Sequence, residues 1–136
     1  MESSKTCWPY LKSNDFKFPA LGLLVKSPLN IQLEELVRID TGYDGFLLLS
    51  EEKYRRMGFY LSELPRRYWP EGETLTGEIF RLRRALTIIQ IPKLGIRLEG
   101  YVDTFRGNVE DLVGLKLIES LKLLLDGPAQ LAHIIH

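Results

Sequence analysis

The sequence predicts a mostly-β domain, a sandwich or a barrel, with one or two short helices. Short apolar, β-prone runs recur at regular spacing, several of them bounded by Gly, Pro, Asn or Asp, which is the pattern of strands joined by tight turns. Helical signals are confined to two brief stretches, 50–58 and 115–121. The chain has 136 residues, 45% of them hydrophobic, enough for one domain with its own core and unlike a disordered composition.

The chain opens with a segment, 1–20, that mixes polar residues with Trp8, Tyr10, Phe16 and Phe18 and reads as an N-terminal arm. Residues 21–26 form a strand, Ser27 to Asn30 a turn around Pro28, and 31–39 the next strand, which ends at Asp40. Phe46 to Leu49 continue past a glycine-bearing loop. Residues 50–58 read as a short helix: Ser50 caps it, Glu51 and Glu52 suit its first turn, Arg55 and Arg56 its last, and Gly58 the position beyond its end. The stretch 59–69 is ambiguous, with Pro65 and Pro70 breaking regularity. Residues 71–77 are polar and carry Gly72 and Gly77, as a hairpin tip would. Strands follow at 79–83 and 86–91, Pro92 to Gly95 turn the chain, and 96–102 is another strand with apolar–polar alternation. Residues 103–111 read as a loop, Leu112-Val113-Gly114 as an apolar pair closed by glycine, 115–121 as a helix, 122–125 as a strand and Asp126-Gly127-Pro128 as a turn. Residues 129–136 form a short amphipathic tail.

Charge narrows the function classes. Lys plus Arg and Asp plus Glu both number 18, so the net charge is zero and nothing favours nucleic acid or an acidic membrane surface as a partner. The pairs Arg55-Arg56, Arg66-Arg67 and Arg83-Arg84 read as solvated faces. No apolar run reaches the roughly 20 residues that a membrane helix requires, and residues 1–12 lack the apolar segment of a signal peptide. Cys7 is the only cysteine, which excludes an internal disulfide and reads as a plain thiol. A cytoplasmic location is expected. His133 and His136 lie three apart without a third ligand, so no metal site and no cofactor are expected.

The chemistry concentrates at Asp40-Thr41-Gly42, between the apolar runs Leu36-Val37-Arg38-Ile39 and Phe46 to Leu49. Gly42 permits a tight loop and close backbone approach, Thr41 can lock it by hydrogen bonding, and Asp40 is then held at a fixed point against buried strands. An apolar pair, Asp-Thr-Gly and a strand resemble the catalytic loop of aspartic proteases. Far downstream, Leu112-Val113-Gly114, a short helix and a strand ending at Asp126-Gly127 are similar to the second signature of the retroviral type. The match spans residues 21–127, and the continuation Gly-Phe-Leu-Leu-Leu-Ser looks like the small prokaryotic and archaeal members. The chain is thus identified as resembling the retropepsin-like (clan AA) aspartic proteases.

That resemblance implies a closed acid-protease barrel at 21–127, flanked by an arm at 1–20 and a tail at 128–136. It implies peptide or protein hydrolysis by a water set between two carboxylates, one acting as base and the other as acid. Asp40, Thr41 and Gly42 take the catalytic positions. Tyr43 and Asp44, with the flap residues Thr74, Leu75, Thr76 and Gly77, take the substrate-binding ones. The chain has one Asp-Thr-Gly: Asp103-Thr104-Phe105 lacks the glycine and Asp126-Gly127-Pro128 the hydroxyl. The second carboxylate therefore comes from a second copy in a two-fold homodimer. Three departures mark this sequence. Tyr43 replaces the usual alanine, and its bulk is expected to narrow or reshape the cleft. Leu115 replaces the frequent arginine that braces an acid near the loop, so Asp44 needs another partner or stays solvated. The flap carries only two glycines. The alternative is a retropepsin-fold binding or dimerisation module with little or no turnover.

Overall fold

The computed structural model describes residues 6–73 and 76–135. In chain order the strands are β1 (Cys7–Pro9), β2 (Leu11–Ser13), β3 (Phe16–Phe18), β4 (Ala20–Lys26), β5 (Gln32–Ile39), β6 (Leu47–Leu48), β7 (Glu71–Glu73), β8 (Ile79–Arg81), β9 (Arg83–Ile91), β10 (Ile96–Thr104), β11 (Leu112–Val113), β12 (Leu123–Asp126) and β13 (Leu131–Ile134). Two short helices, α1 (Glu51–Arg56) and α2 (Leu115–Ile118), follow β6 and β11.

Six strands close a barrel in the order β10-β6-β11-β5-β4-β9. Two of its seams are parallel, β5 with β11 and β6 with β10, and the others are antiparallel. Alternation sends Leu21, Leu23 and Val25 of β4 inward, where they meet Val37 and Ile39 of β5 and Ile89 and Ile91 of β9. Leu47, Leu49, Val102 and Val113 complete this core, and Tyr54, Met57 and Phe59 cap it from α1 and the turn beyond.

Local signals account for the joints. Ser50 Oγ accepts from the Lys53 N–H, the N-cap bond expected of it, and Gly58 takes φ 78° directly past the helix end. Gly95 takes φ 65° in the β9–β10 turn. The N-terminus of α1 is pinned from outside: Ser50 N–H donates to Asp111 Oδ1 at 2.8 Å, and Lys53 bridges Asp111 and Glu35.

Three expectations need correction. Asp103 and Thr104 end β10 rather than opening a loop, because Arg84 sits directly across the ladder and neutralises the buried acid. The helix at 115 stops at Ile118, three residues early, where the chain turns to enter β12. The tail is a strand: β13 pairs with both β1 and β12, burying Ala132 and Ile134, a long-range pairing that no local pattern reveals. His133 lies in this strand, and His136 falls outside the described residues.

Candidate active site

The chain runs from β5 directly into Asp40. Its N–H donates to the Val113 carbonyl at 2.9 Å, continuing the parallel seam with β11. The loop then folds onto its own acid. Gly42 N–H donates to Asp40 Oδ1 at 2.9 Å and Tyr43 N–H to the Asp40 carbonyl at 3.2 Å. The first bond is an Asx-type turn that fixes one carboxylate oxygen. The other oxygen has no hydrogen-bond partner among the described residues.

The downstream glycine signature grips this loop. Leu115 N–H donates to the Tyr43 carbonyl at 2.8 Å, Lys116 N–H to Gly45 at 3.0 Å, and Gly114 N–H to Phe46 at 3.0 Å. A β-carbon at Gly114 would overlap the Gly45 carbonyl and the Tyr43 ring, so only glycine fits. The same ring lies against Gly45, so the two glycines form its bed.

Tyr43 ends in a buried charged pair. Its hydroxyl donates to Asp103 Oδ2 at 2.6 Å and lies 3.2 Å from the Leu47 carbonyl. Asp103 also accepts from Arg84, Nε to Oδ1 at 2.8 Å and Nη2 to Oδ2 at 3.1 Å. The Asp103 side chain is 1% exposed and that of Arg84 20%. Burial, with the Asp103 charge behind it, pushes the Tyr43 phenol well above the usual tyrosine range. Burial alone would lower Arg84, but the bonds it donates to Asp103, with the Asp103 charge, outweigh it and raise the guanidinium.

A cleft of about 720 Å³ opens over these residues. Asp40, Gly42, Tyr43 and Asp44 line one side. The β7–β8 hairpin borders it through Gly72, Glu73 and Phe80, and Phe80 packs on Phe105 with ring centroids 5.2 Å apart. Gly72 is small where the Phe80 ring crosses it. A smaller depression of about 440 Å³ beneath Trp8, on another face, holds no Asp-Thr-Gly.

The sequence-derived residues divide as follows. Asp40, Gly42, Tyr43 and Asp44 share the cleft, and Thr41 stands exposed beside it. Asp44 is exposed, with no side-chain partner among the described residues. Thr76 and Gly77 are exposed beyond the hairpin strands and do not line the cleft, while Thr74 and Leu75 fall outside the described residues. Sequence reasoning missed Asp103 and Arg84. The solvated reading of the Arg83-Arg84 pair fails because Arg84 binds Asp103 and Arg83 forms two bonds with Glu63, at 2.7 and 3.0 Å. The signal was present: the turn at 92–95 sets the hairpin register and places Arg84 opposite Asp103.

No protein-family model matches the sequence. Two solved structures share the architecture at low identity. EIAV protease complexed with the inhibitor HBY-793 gives a TM-score of 0.53 at 17% identity, over 81% of this chain and 93% of that one. A retropepsin-like aspartic protease from Rickettsia conorii gives 0.52 at 14% identity, over the whole of both chains. The fold is retropepsin-like. In sequence, this retropepsin-like chain is 29% identical over 114 residues to an uncharacterized protein of Archaeoglobus fulgidus, covering 79% of this chain and 86% of that one. The retropepsin-like barrel accounts for the two parallel seams, which bring the Asp40 loop and the Gly114 turn together at one end. No helix is long and apolar enough to cross a membrane, among the described residues.

Proposed function

We propose that this chain is an aspartic endopeptidase whose single active site is assembled from two copies, each supplying one Asp40. One observation carries the reading: an Asp-Thr-Gly loop at the mouth of a strand opens into a cleft bordered by a β-hairpin, within a retropepsin-like barrel. Two further features support it. No second carboxyl group is hydrogen-bonded to Asp40 among the described residues, and Asp103, the nearest analogue in sequence, is consumed by Arg84 and Tyr43. The terminal sheet β1-β13-β12 ends in an open β12 edge carrying Leu124 and Leu125, 50% and 45% exposed, an apolar edge suited to a second copy.

In the assembled site the two Asp40 carboxyls share one proton and hold one water. One carboxylate takes a proton from the water as it attacks the peptide carbonyl, while the protonated partner gives its proton to the carbonyl oxygen. Thr41 of each copy bonds across the two loops. The β7–β8 hairpin closes over a peptide and excludes water, and Thr74, Leu75, Thr76 and Gly77 are the residues proposed to contact it there. Tyr43 and Asp44 line the cleft on the loop side.

The test is hydrolysis of a broad peptide set across acid to neutral pH by the wild type and by Asp40→Asn. A bell-shaped profile on the acidic side, abolished in the variant, is expected. The second reading, a binding or dimerisation module, draws on the bulky Tyr43 beside Asp40. Absence of wild-type cleavage at every pH favours it.

A further inference from the structure

Asp103 and Arg84 face each other across the β9–β10 ladder and form a two-bond ion pair on a fully buried carboxylate. A buried ion pair is a weak source of net stability, because apolar residues of the same volume serve as well or better. Where it sits is therefore informative. Its remaining short hydrogen bond comes from Tyr43, three residues beyond Asp40.

Tyr43 is held along its whole length. Its N–H bonds the Asp40 carbonyl, its carbonyl accepts from Leu115, its ring lies on Gly45 and Gly114, and its hydroxyl reaches Asp103. The loop is thus tied on one side to β11 and on the other to β9 and β10. Position 115 holds an exposed leucine, whose only bond to the loop among the described residues is the backbone one to the Tyr43 carbonyl. The brace instead comes from across the barrel.

We propose that Tyr43 is a positioning residue, which through Asp103 and Arg84 fastens the Asp40 loop to the β9–β10 wall and so sets where the Asp40 carboxyl stands in the cleft. The proposal rests on Asp40 being the catalytic acid. The hydroxyl forms no hydrogen bond with the Asp40 side chain, so its influence passes through the backbone of the loop. Misplacement of a reacting group by about 1 Å costs about a hundredfold in rate. Loss of the hydroxyl should therefore lower kcat and leave KM in place.

The experiment compares wild type, Tyr43→Phe and the control Tyr60→Phe, a change on an exposed turn. Phenylalanine keeps the ring in its glycine bed and leaves Asp103 paired with Arg84, so the variant should fold, and thermal unfolding and dimer mass check that it does. Three quantities are read: amide exchange at residues 42–45, and kcat and KM on a cleaved peptide. In Tyr43→Phe, exchange should rise about tenfold in the loop without a rise in the barrel strands. kcat should fall about 10- to 100-fold with KM within about twofold. Unchanged loop exchange overturns the proposal whether or not any peptide is cleaved. Faster exchange with an unchanged kcat, or a raised KM at constant kcat, overturns it too. If the wild type cleaves nothing, the protease reading fails and the exchange measurement alone decides whether Tyr43 fastens the loop.

Discussion

Two Asp-Thr pairs stand at the ends of long barrel strands, Asp40-Thr41 after β5 and Asp103-Thr104 at the end of β10, and both acids border the same cleft. They have opposite fates. Asp40 is half-buried, and its carboxylate accepts one hydrogen bond among the described residues, from the Gly42 N–H. Asp103 is fully buried and takes two bonds from Arg84 and one from Tyr43, while the Thr104 hydroxyl donates to the Leu49 carbonyl at 2.8 Å. The following residue separates them locally: Gly42 lets the chain fold back on its acid, whereas Phe105 packs against Phe80. The cross-strand neighbour completes the difference. The Asp-Thr dipeptide alone does not decide the environment of its acid: among the described residues Asp103 is paired with a cation and the Asp40 side chain is not.

Exchanging which acid is removed should break this comparison most sharply. Asp40→Asn should cost peptide cleavage at least about 10²- to 10⁴-fold, the usual share of a general acid or base, while urea unfolding stays close to wild type. Asp103→Ala should do the reverse to stability. It strands Arg84 in a largely buried position and removes the acceptor of Tyr43, which should cost about 3–5 kcal/mol in urea unfolding. A variant series in which Asp40 carries the stability and Asp103 does not would invert the assignment.

A smaller effect sharpens the idea that the unpaired acid is completed by a second copy. Leu125→Glu places a charge on the open edge of the terminal sheet and should weaken self-association by at least about tenfold, or 1.4 kcal/mol. Sedimentation across a concentration series reads this directly. Cleavage should fall with the dimer fraction, and the Asp103 cluster should be untouched.

The smallest expected effect is on the alkaline side. Burial and the Asp103 charge raise Tyr43. For Lys53, burial lowers the ammonium, but bonds to Asp111 and Glu35 outweigh it and raise it overall. Both groups keep their protons in the fold at pH values where the unfolded chain has begun to lose them. Their stabilisation is full below about pH 10, the ordinary range of both groups, and is lost as pH rises through the folded-state values. Tyr43→Phe removes one such proton. The alkaline decline in unfolding free energy should then be shallower by at most about 1.4 kcal/mol per pH unit.

Much of the fold was legible because its signals are local. Ser50 and Gly58 bound α1, Gly95 turns β9 into β10, and alternation in β4 marks its inward face. The place of Asp40 at a strand end was legible for the same reason. What was not legible depends on distant partners. β13 needs β1 and β12 before its Ala132 and Ile134 make sense as buried residues. Asp103 reads as a loop former until Arg84 is put across from it. Tyr43 reads as bulk in a cleft until its hydroxyl is followed to Asp103 and its ring to Gly114.

The proposed site takes one Asp40 from each of two copies. Refolding wild type and Asp40→Asn together at varied ratios, with total protein constant, tests it most directly, the dimer mass being checked for each mixture. A dimer needing both acids has activity that falls as the square of the wild-type fraction. Activity falling in direct proportion to that fraction would show that each chain works with its own residues, and would contradict the shared site.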